Sequence, residues 1–184
     1  MTAAIFALIW MGAGAAGWLD VPLTNWNDAA KIPVAAVTDT ETVAQVARRC
    51  GLPLLRETPA ERILADTGWL AYLHVDRQIV QRDVEILAGM TAADAMCRPV
   101  NFNVFVFVGG VFAGTLSPVH MTSRTDGAIG AVRLSIDDAI SAEFARFQDT
   151  DALCCPSSRV SIRYRIDRAA RTPVVIPVGI QSLR

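Results

Sequence analysis

Apolar residues run unbroken through Val104-Phe105-Val106-Phe107-Val108, stop at Gly109-Gly110, and resume as Val111-Phe112-Ala113-Gly114-Thr115-Leu116. β-Branched and aromatic residues fit a pleated strand, and two glycines reach the positive φ values of a tight hairpin turn. A two-residue loop predicts the pairs Val108 with Val111, Phe107 with Phe112, Val106 with Ala113 and Phe105 with Gly114. Phe105, Phe107, Phe112 and Leu116 then share one face, with the Phe105 ring over the bare Gly114 backbone. Val104, Val106, Val108, Val111 and Ala113 share the other. Neither face suits water, so the hairpin is expected at the centre of a sheet covered on both sides.

Flanking patterns extend this sheet. Gln78 to Ala88 reads as a strand with Val84 and Ile86 on one face and Asp83 and Glu85 on the other. Ala131 to Asp137 alternates, with Val132, Leu134 and Ile136 inward. Asp138 to Phe147 fits helix or strand, and its strand neighbours favour strand. Val160 to Ile166 alternates cleanly, and Thr172 to Ile180, with Pro173 and Pro177, reads as an edge strand. Two helices precede the strands. One is capped by Thr40 or Thr42 and ends at Cys50-Gly51. The other has Thr58 as cap, Pro59 at its first position and Glu61 closing a capping box, and stops by Gly68. The expected fold is a β-rich α+β domain, mostly antiparallel, with a central Gly-Gly hairpin and short N-terminal helices.

The N-terminus differs. Ala3 to Leu19 holds no charged residue. It is short for a spanning helix, which needs roughly 20 apolar residues. It fits a secretory signal with Ala13-Gly14-Ala15 as cleavage site, although no Lys or Arg precedes the apolar run. The expected organisation is a signal peptide or N-terminal anchor over 1–19, a linker or loosely packed arm over 20–39, and one β-rich domain over 40–184. If the segment is uncleaved, it associates the chain with a membrane.

With 184 residues, a net charge of −1 and a hydrophobic share of 52 %, the chain can bury one substantial core. It offers no electrostatic case for nucleic acid. Lys31 is the only lysine.

Several motifs together resemble a known family. CRPVNFNVFVFVGGVFAGTLSP (Cys97 to Pro118), TSRTDG (Thr122 to Gly127) and DALCCPSSRVSIRYRID (Asp151 to Asp167) are similar to the LppP/LprE family of bacterial lipoproteins. The resemblance implies an exported cell-envelope protein of uncharacterised role and supplies no catalytic residue. Lipoprotein members carry a lipobox cysteine after the signal, whereas this sequence has none near Gly17. That departure points to a periplasmic or secreted protein.

Cys50, Cys97, Cys154 and Cys155 would meet an oxidising compartment on export. Adjacent cysteines in a strand point to opposite faces, so Cys154 and Cys155 are expected to take different partners, Cys50 and Cys97, in either of two connectivities. The rival use is thiol chemistry at Cys155-Pro156-Ser157-Ser158. Such motifs open a helix, and here a strand follows. With only His74 and His120 beside the cysteines, no zinc spacing is recognisable, and no cofactor motif is found.

Three other groupings draw attention. His74 with Asp76 could be a base and its orienting acid. Ser117, His120 and Asp126 could form a triad by composition, but no nucleophile elbow accompanies them. Asp83 and Glu85 could be paired carboxylates, though a solvated strand face explains them as well. The polar loop of Ser123, Arg124 and Asp126 is the expected binding surface, because loops on a rigid sheet carry function. The expected function is non-catalytic binding of a small ligand or an envelope protein. The alternative is a small extracytoplasmic enzyme, thiol-redox or hydrolytic.

Overall fold

The structure, a computed structural model, describes residues 17–27, 31–35, 41–72, 79–169 and 171–183. His74 and Asp76, Thr40, and the apolar run up to Ala16 lie outside the described residues.

Two short helices precede nine strands: α1 (Val43–Arg49) and α2 (Pro59–Asp66), then β1 (Leu70–Ala71), β2 (Ile79–Gln81), β3 (Val84–Ala93), β4 (Pro99–Val108), β5 (Val111–Thr115), β6 (Ile129–Leu134), β7 (Ile140–Arg146), β8 (Ser158–Asp167) and β9 (Val174–Leu183). One antiparallel sheet runs β1-β3-β4-β5, with β2 also on β3; the second runs β6-β7-β8-β9. The expected β-rich α+β architecture is what forms, as two packed sheets.

The inner faces of the two sheets share one core. Val84, Ile86, Val104, Val106 and Leu116 from the first sheet join Ile140, Ala142, Phe144, Ile162 and Tyr164 from the second. The outer face of the first sheet carries Leu87, Phe105, Phe107 and Phe112, covered by Ala60 and Leu64 of α2 and by Trp69. Both faces of the hairpin are thus covered, as its composition requires, except at Val111 beside the turn, which is exposed. The α2 helix starts where its sequence signals it: Thr58 accepts from Glu61 N, and the Glu61 carboxylate accepts from Thr58 N at 3.0 Å. An eight-residue helix is too short to persist alone. Burying Leu64 completely contributes about 2 kcal/mol and holds it to the sheet.

The hairpin turn has φ +58° at Gly109 and +77° at Gly110, as expected. The register departs from expectation beyond Phe107–Phe112. A one-residue bulge at Ala113 pairs Val106 with Gly114 and Phe105 with Thr115. Leu116 consequently turns into the inter-sheet core rather than joining the phenylalanines. The ring of Phe105 lies over Gly89, where an added Cβ would stand 2.9 Å from Phe105 Cε2. Gly114, with φ +144°, lies instead against Asn27, whose Cγ would be 2.4 Å from a Cβ there.

Other boundaries shift for local reasons. Gln78 to Ala88 is not one strand: Arg82, at φ +56°, and Asp83 form a turn between β2 and β3. Ile136 is 77 % exposed, because Ser135 N–H donates to Ala139 O at 2.9 Å and closes a turn there. Asp138 to Phe147 is strand over most of its length. β9 forms the edge of its sheet, and its register shifts where Pro177 faces Tyr164.

Residues of the expected arm, together with Trp18 from the stretch read as a signal or anchor, contact both sheets where they are described. Trp18 meets Phe144 and Trp26 edge to face, at centroid distances of 5.0 and 5.9 Å. Asn27 Nδ2 donates to Thr115 O at 3.0 Å and to Val175 O at 2.9 Å, joining β5 to β9. At the opposite margin Gln81 Nε2 donates to Ser135 O at 3.2 Å. Nearby, Arg168 bridges the turns at Asp83 and Asp138 with contacts of 2.7 and 2.9 Å.

The sulfur pairing differs from expectation. Cys50 bonds Cys97, and Cys154 bonds Cys155. The argument from opposite strand faces does not apply, because the vicinal pair lies in the loop between β7 and β8, before the strand begins at Ser158. Cys50–Cys97 ties the end of α1 to the β3–β4 turn across a separation of 47 residues, not about a hundred.

Candidate functional site

Where β5 ends, the chain leaves the sheet through Leu116-Ser117-Pro118 and opens a cleft against the N-terminal segment. Its floor is made of buried polar groups, each with a partner. Asn103 Nδ2 donates to Ser117 O at 3.1 Å and to Val119 O at 3.2 Å. Thr115 Oγ1 donates to Ser117 O at 2.8 Å, and Ser117 Oγ donates to Val119 O at 2.7 Å. These bonds set the path of the 117–119 turn and therefore the place of His120 beyond it. Trp26 and Asn27 wall the other side, with Trp26 Nε1 donating to Thr115 O at 3.1 Å.

The cleft is open to solvent, holds about 150 Å³, and is also lined by Lys31, Pro33, Phe112, Pro118 and His120. Among the described residues that line it, Lys31 and His120 are the ionisable ones. His120 stands at the rim with its ring edge-on to Trp69, centroids 5.1 Å apart. Desolvation there lowers its pKa below the ordinary 6.5, leaving it neutral at pH 7. Asn27, Asn103 and Ser117 bring polar groups to a wall that Trp26 and Phe112 otherwise make apolar.

The residues singled out in the sequence are mostly employed elsewhere. In the 122–127 loop, Ser123 N–H donates to Pro99 O at 3.0 Å. Arg124 is exposed at φ +64°. Asp126 accepts from Arg146 Nε at 3.0 Å and from Phe147 N at 2.8 Å. Arg146 also reaches Asp20 at 2.6 Å, so the loop helps hold the chain around Trp18. None of Ser123, Arg124 and Asp126 lines the cleft. Of the compositional triad, Ser117 donates to a backbone carbonyl, Asp126 is taken by Arg146, and His120 meets Trp69. Asp83 is bound by Arg168, while Glu85 accepts from Thr58 Oγ1 at 2.9 Å, so those carboxylates serve separate contacts. Among the described residues, no group of three or more His, Cys, Asp or Glu could hold a metal ion.

Four cleft residues escaped sequence reasoning: Trp26, Asn27, Lys31 and Asn103. Three lie in the stretch read as an arm. The available signal was a lone tryptophan beside asparagines in a region otherwise without apolar periodicity, together with the chain's single lysine.

The vicinal cysteines, the hairpin and the 122–127 loop fall in one continuous stretch from the β2–β3 turn to just beyond β8. Residues 82–169 match the LppP/LprE lipoprotein family. The LppP/LprE stretch thus contains His120, Asn103 and Cys154–Cys155, while Trp26, Asn27 and Lys31 complete the cleft from outside it. A match to LppP/LprE lipoproteins implies association with the cell envelope. Among the described residues, no helix is long and apolar enough to cross a membrane. No curated protein and no solved structure matches the chain.

Proposed function

We propose that this chain is an exported, non-catalytic binding domain of the cell envelope, and that it takes a small anionic ligand in the cleft beside His120. The observation that carries this reading is the charge of the lining: the sole lysine and one of the two histidines of the chain stand there, with no carboxylate among the described lining residues. Lys31 is exposed at the mouth of the cleft, where its ammonium group attracts an anion across a short path of solvent. The 122–127 loop has a different place in this reading, as the anchor of the Trp18 segment.

Titration with inorganic phosphate and with succinate, followed through backbone amide and His120 ring resonances, tests the proposal. Saturable shifts at Asn103, Thr115 and His120, with affinity about millimolar or tighter and lost in Lys31→Gln, are expected. Absence of saturable shifts with both anions would overturn it.

A further inference from the structure

We infer that Cys154–Cys155 is a thiol–disulfide exchange site for an extracytoplasmic dithiol, and that Cys50–Cys97 is the bond that stabilises the fold. The first observation is connectivity. A bond between neighbours in sequence closes no loop, so it removes almost no freedom from the unfolded chain. Cys50–Cys97 spans 47 residues and restrains that chain strongly.

The second is access. Cys154 and Cys155 are both exposed on the β7–β8 loop, as is Leu153 at 71 %. Cys50 and Cys97 are half-buried, with Arg49 Nη1 3.8 Å from Cys97 Sγ and bonded at 3.0 Å to Asp94 O. Exposed disulfides are the ones that exchange, and buried structural ones resist.

The third is independence from the fold. The Asp151 carboxylate accepts from Gln148 N at 2.9 Å and from Ser157 N at 2.8 Å, clamping the loop on either side of the pair. Cys155 N–H donates to Ala152 O at 2.9 Å and closes the turn within it. With its ends and its turn held by hydrogen bonds, the loop can lose the sulfur bond while β7 and β8 stay in place. A surface groove of about 410 Å³ begins at Pro156, the residue after the pair, and is lined also by Ser157, Arg159, Glu143 and Leu183.

The exchange is balanced by the dithiol itself. One thiolate of the dithiol attacks a sulfur of the pair, the Cys154–Cys155 bond breaks, and a mixed disulfide forms while the other cysteine leaves as thiolate. The second thiol of the dithiol then attacks the mixed disulfide, releasing the oxidised dithiol and both cysteines reduced. Two electrons and two protons pass from dithiol to pair.

The test uses the full oxidised chain in buffers of graded dithiothreitol, with alkylation and peptide mass analysis. Cys154 and Cys155 should become alkylated at a reductant concentration about tenfold or more below that needed for Cys50 and Cys97, with the thermal midpoint unchanged after the first step. Cys50→Ser/Cys97→Ser should keep the early step, and Cys154→Ser/Cys155→Ser should lose it while melting as the parent does. Simultaneous reduction of the two bonds would overturn the inference. So would a non-reducing peptide map joining Cys154 or Cys155 to Cys50 or Cys97, or an early step that survives in Cys154→Ser/Cys155→Ser.

Discussion

Asn27 completes the free edge of β5 by engaging both backbone groups of Thr115. Its Oδ1 accepts from Thr115 N at 2.9 Å and its Nδ2 donates to Thr115 O at 3.0 Å. A side-chain amide thus stands in for a strand residue, and its second N–H reaches Val175 O on the other sheet. Asn27→Ala leaves buried backbone groups without these partners, which costs about 1–3 kcal/mol. Asn27→Asp should be destabilised as well, since a carboxylate accepts from Thr115 N but has nothing to donate to the two carbonyls. Urea denaturation of both variants measures this, and an unchanged midpoint in Asn27→Ala would refute the edge role.

Gly114 is the counterpart of that contact. Gly114→Ala meets two obstacles, a backbone at φ +144° and an Asn27 side chain where the methyl must go. We expect a loss of at least about 2 kcal/mol, from backbone strain together with lost hydrogen bonds. In the double variant Gly114→Ala/Asn27→Ala the two losses should be less than additive, because the second removes the clash.

The bulge and the amide that fills it explain why the hairpin register could be read only as far as Phe107. Local signals were legible: the α2 capping box, the Gly-Gly turn, and the alternation of β8 depend on residues a few positions apart. The bulge at Ala113 depends on Asn27, 86 or more positions upstream, and sequence periodicity carries no trace of it. The β2–β3 turn was hidden for another reason, since it uses Arg82 at φ +56° rather than Gly or Asn. The sulfur pairing was misjudged because Cys154 and Cys155 were given strand geometry. The cleft was half legible, with His120 noticed and its partners from the N-terminal segment missed.

The Cys50–Cys97 bond should matter greatly to stability. Closing a loop of that length in the unfolded chain is worth about 4 kcal/mol in the chain-entropy model. Cys50→Ala/Cys97→Ala should lower the urea midpoint accordingly. A change below about 1 kcal/mol would mean the bond restrains little, against that model.

Acid should weaken the fold through several aspartates. Hydrogen bonds from Arg146 hold the Asp20 carboxyl below its ordinary 3.8, and those from Arg168 do the same for Asp83. The backbone N–H of Arg98 lowers Asp94 likewise. A carboxylate depressed on folding stabilises above its unfolded pKa, and that contribution disappears as pH falls through the folded value. The share of stability that these carboxylates contribute should therefore hold between pH 7 and about 5 and drop below about 4. Arg146→Gln and Arg168→Gln should each flatten that acid limb; a limb of unaltered slope in both would exclude these pairs as its source.

Ligand binding at the cleft should show the opposite pH trend. His120, with its pKa lowered by desolvation, is neutral at pH 7 and gains a charge only as pH falls below 6.5. Sulfate, whose charge is constant over this range, should bind more tightly once pH falls low enough to charge His120 than at pH 7.5, and His120→Ala should abolish that increase. The same depressed ring contributes stability above pH 6.5 that is lost on acidification, so affinity and folding must be measured separately.

The seating of Trp18 locks one corner of the second sheet. A Cβ on Gly127 would come 2.7 Å from Trp18 Nε1, and Gly17 N–H donates to Asp20 Oδ2 at 3.1 Å. A single methyl group at Gly127 would therefore wedge the indole away from Phe144, and would disturb with it the charged chain Asp20–Arg146–Asp126 that fastens the same corner.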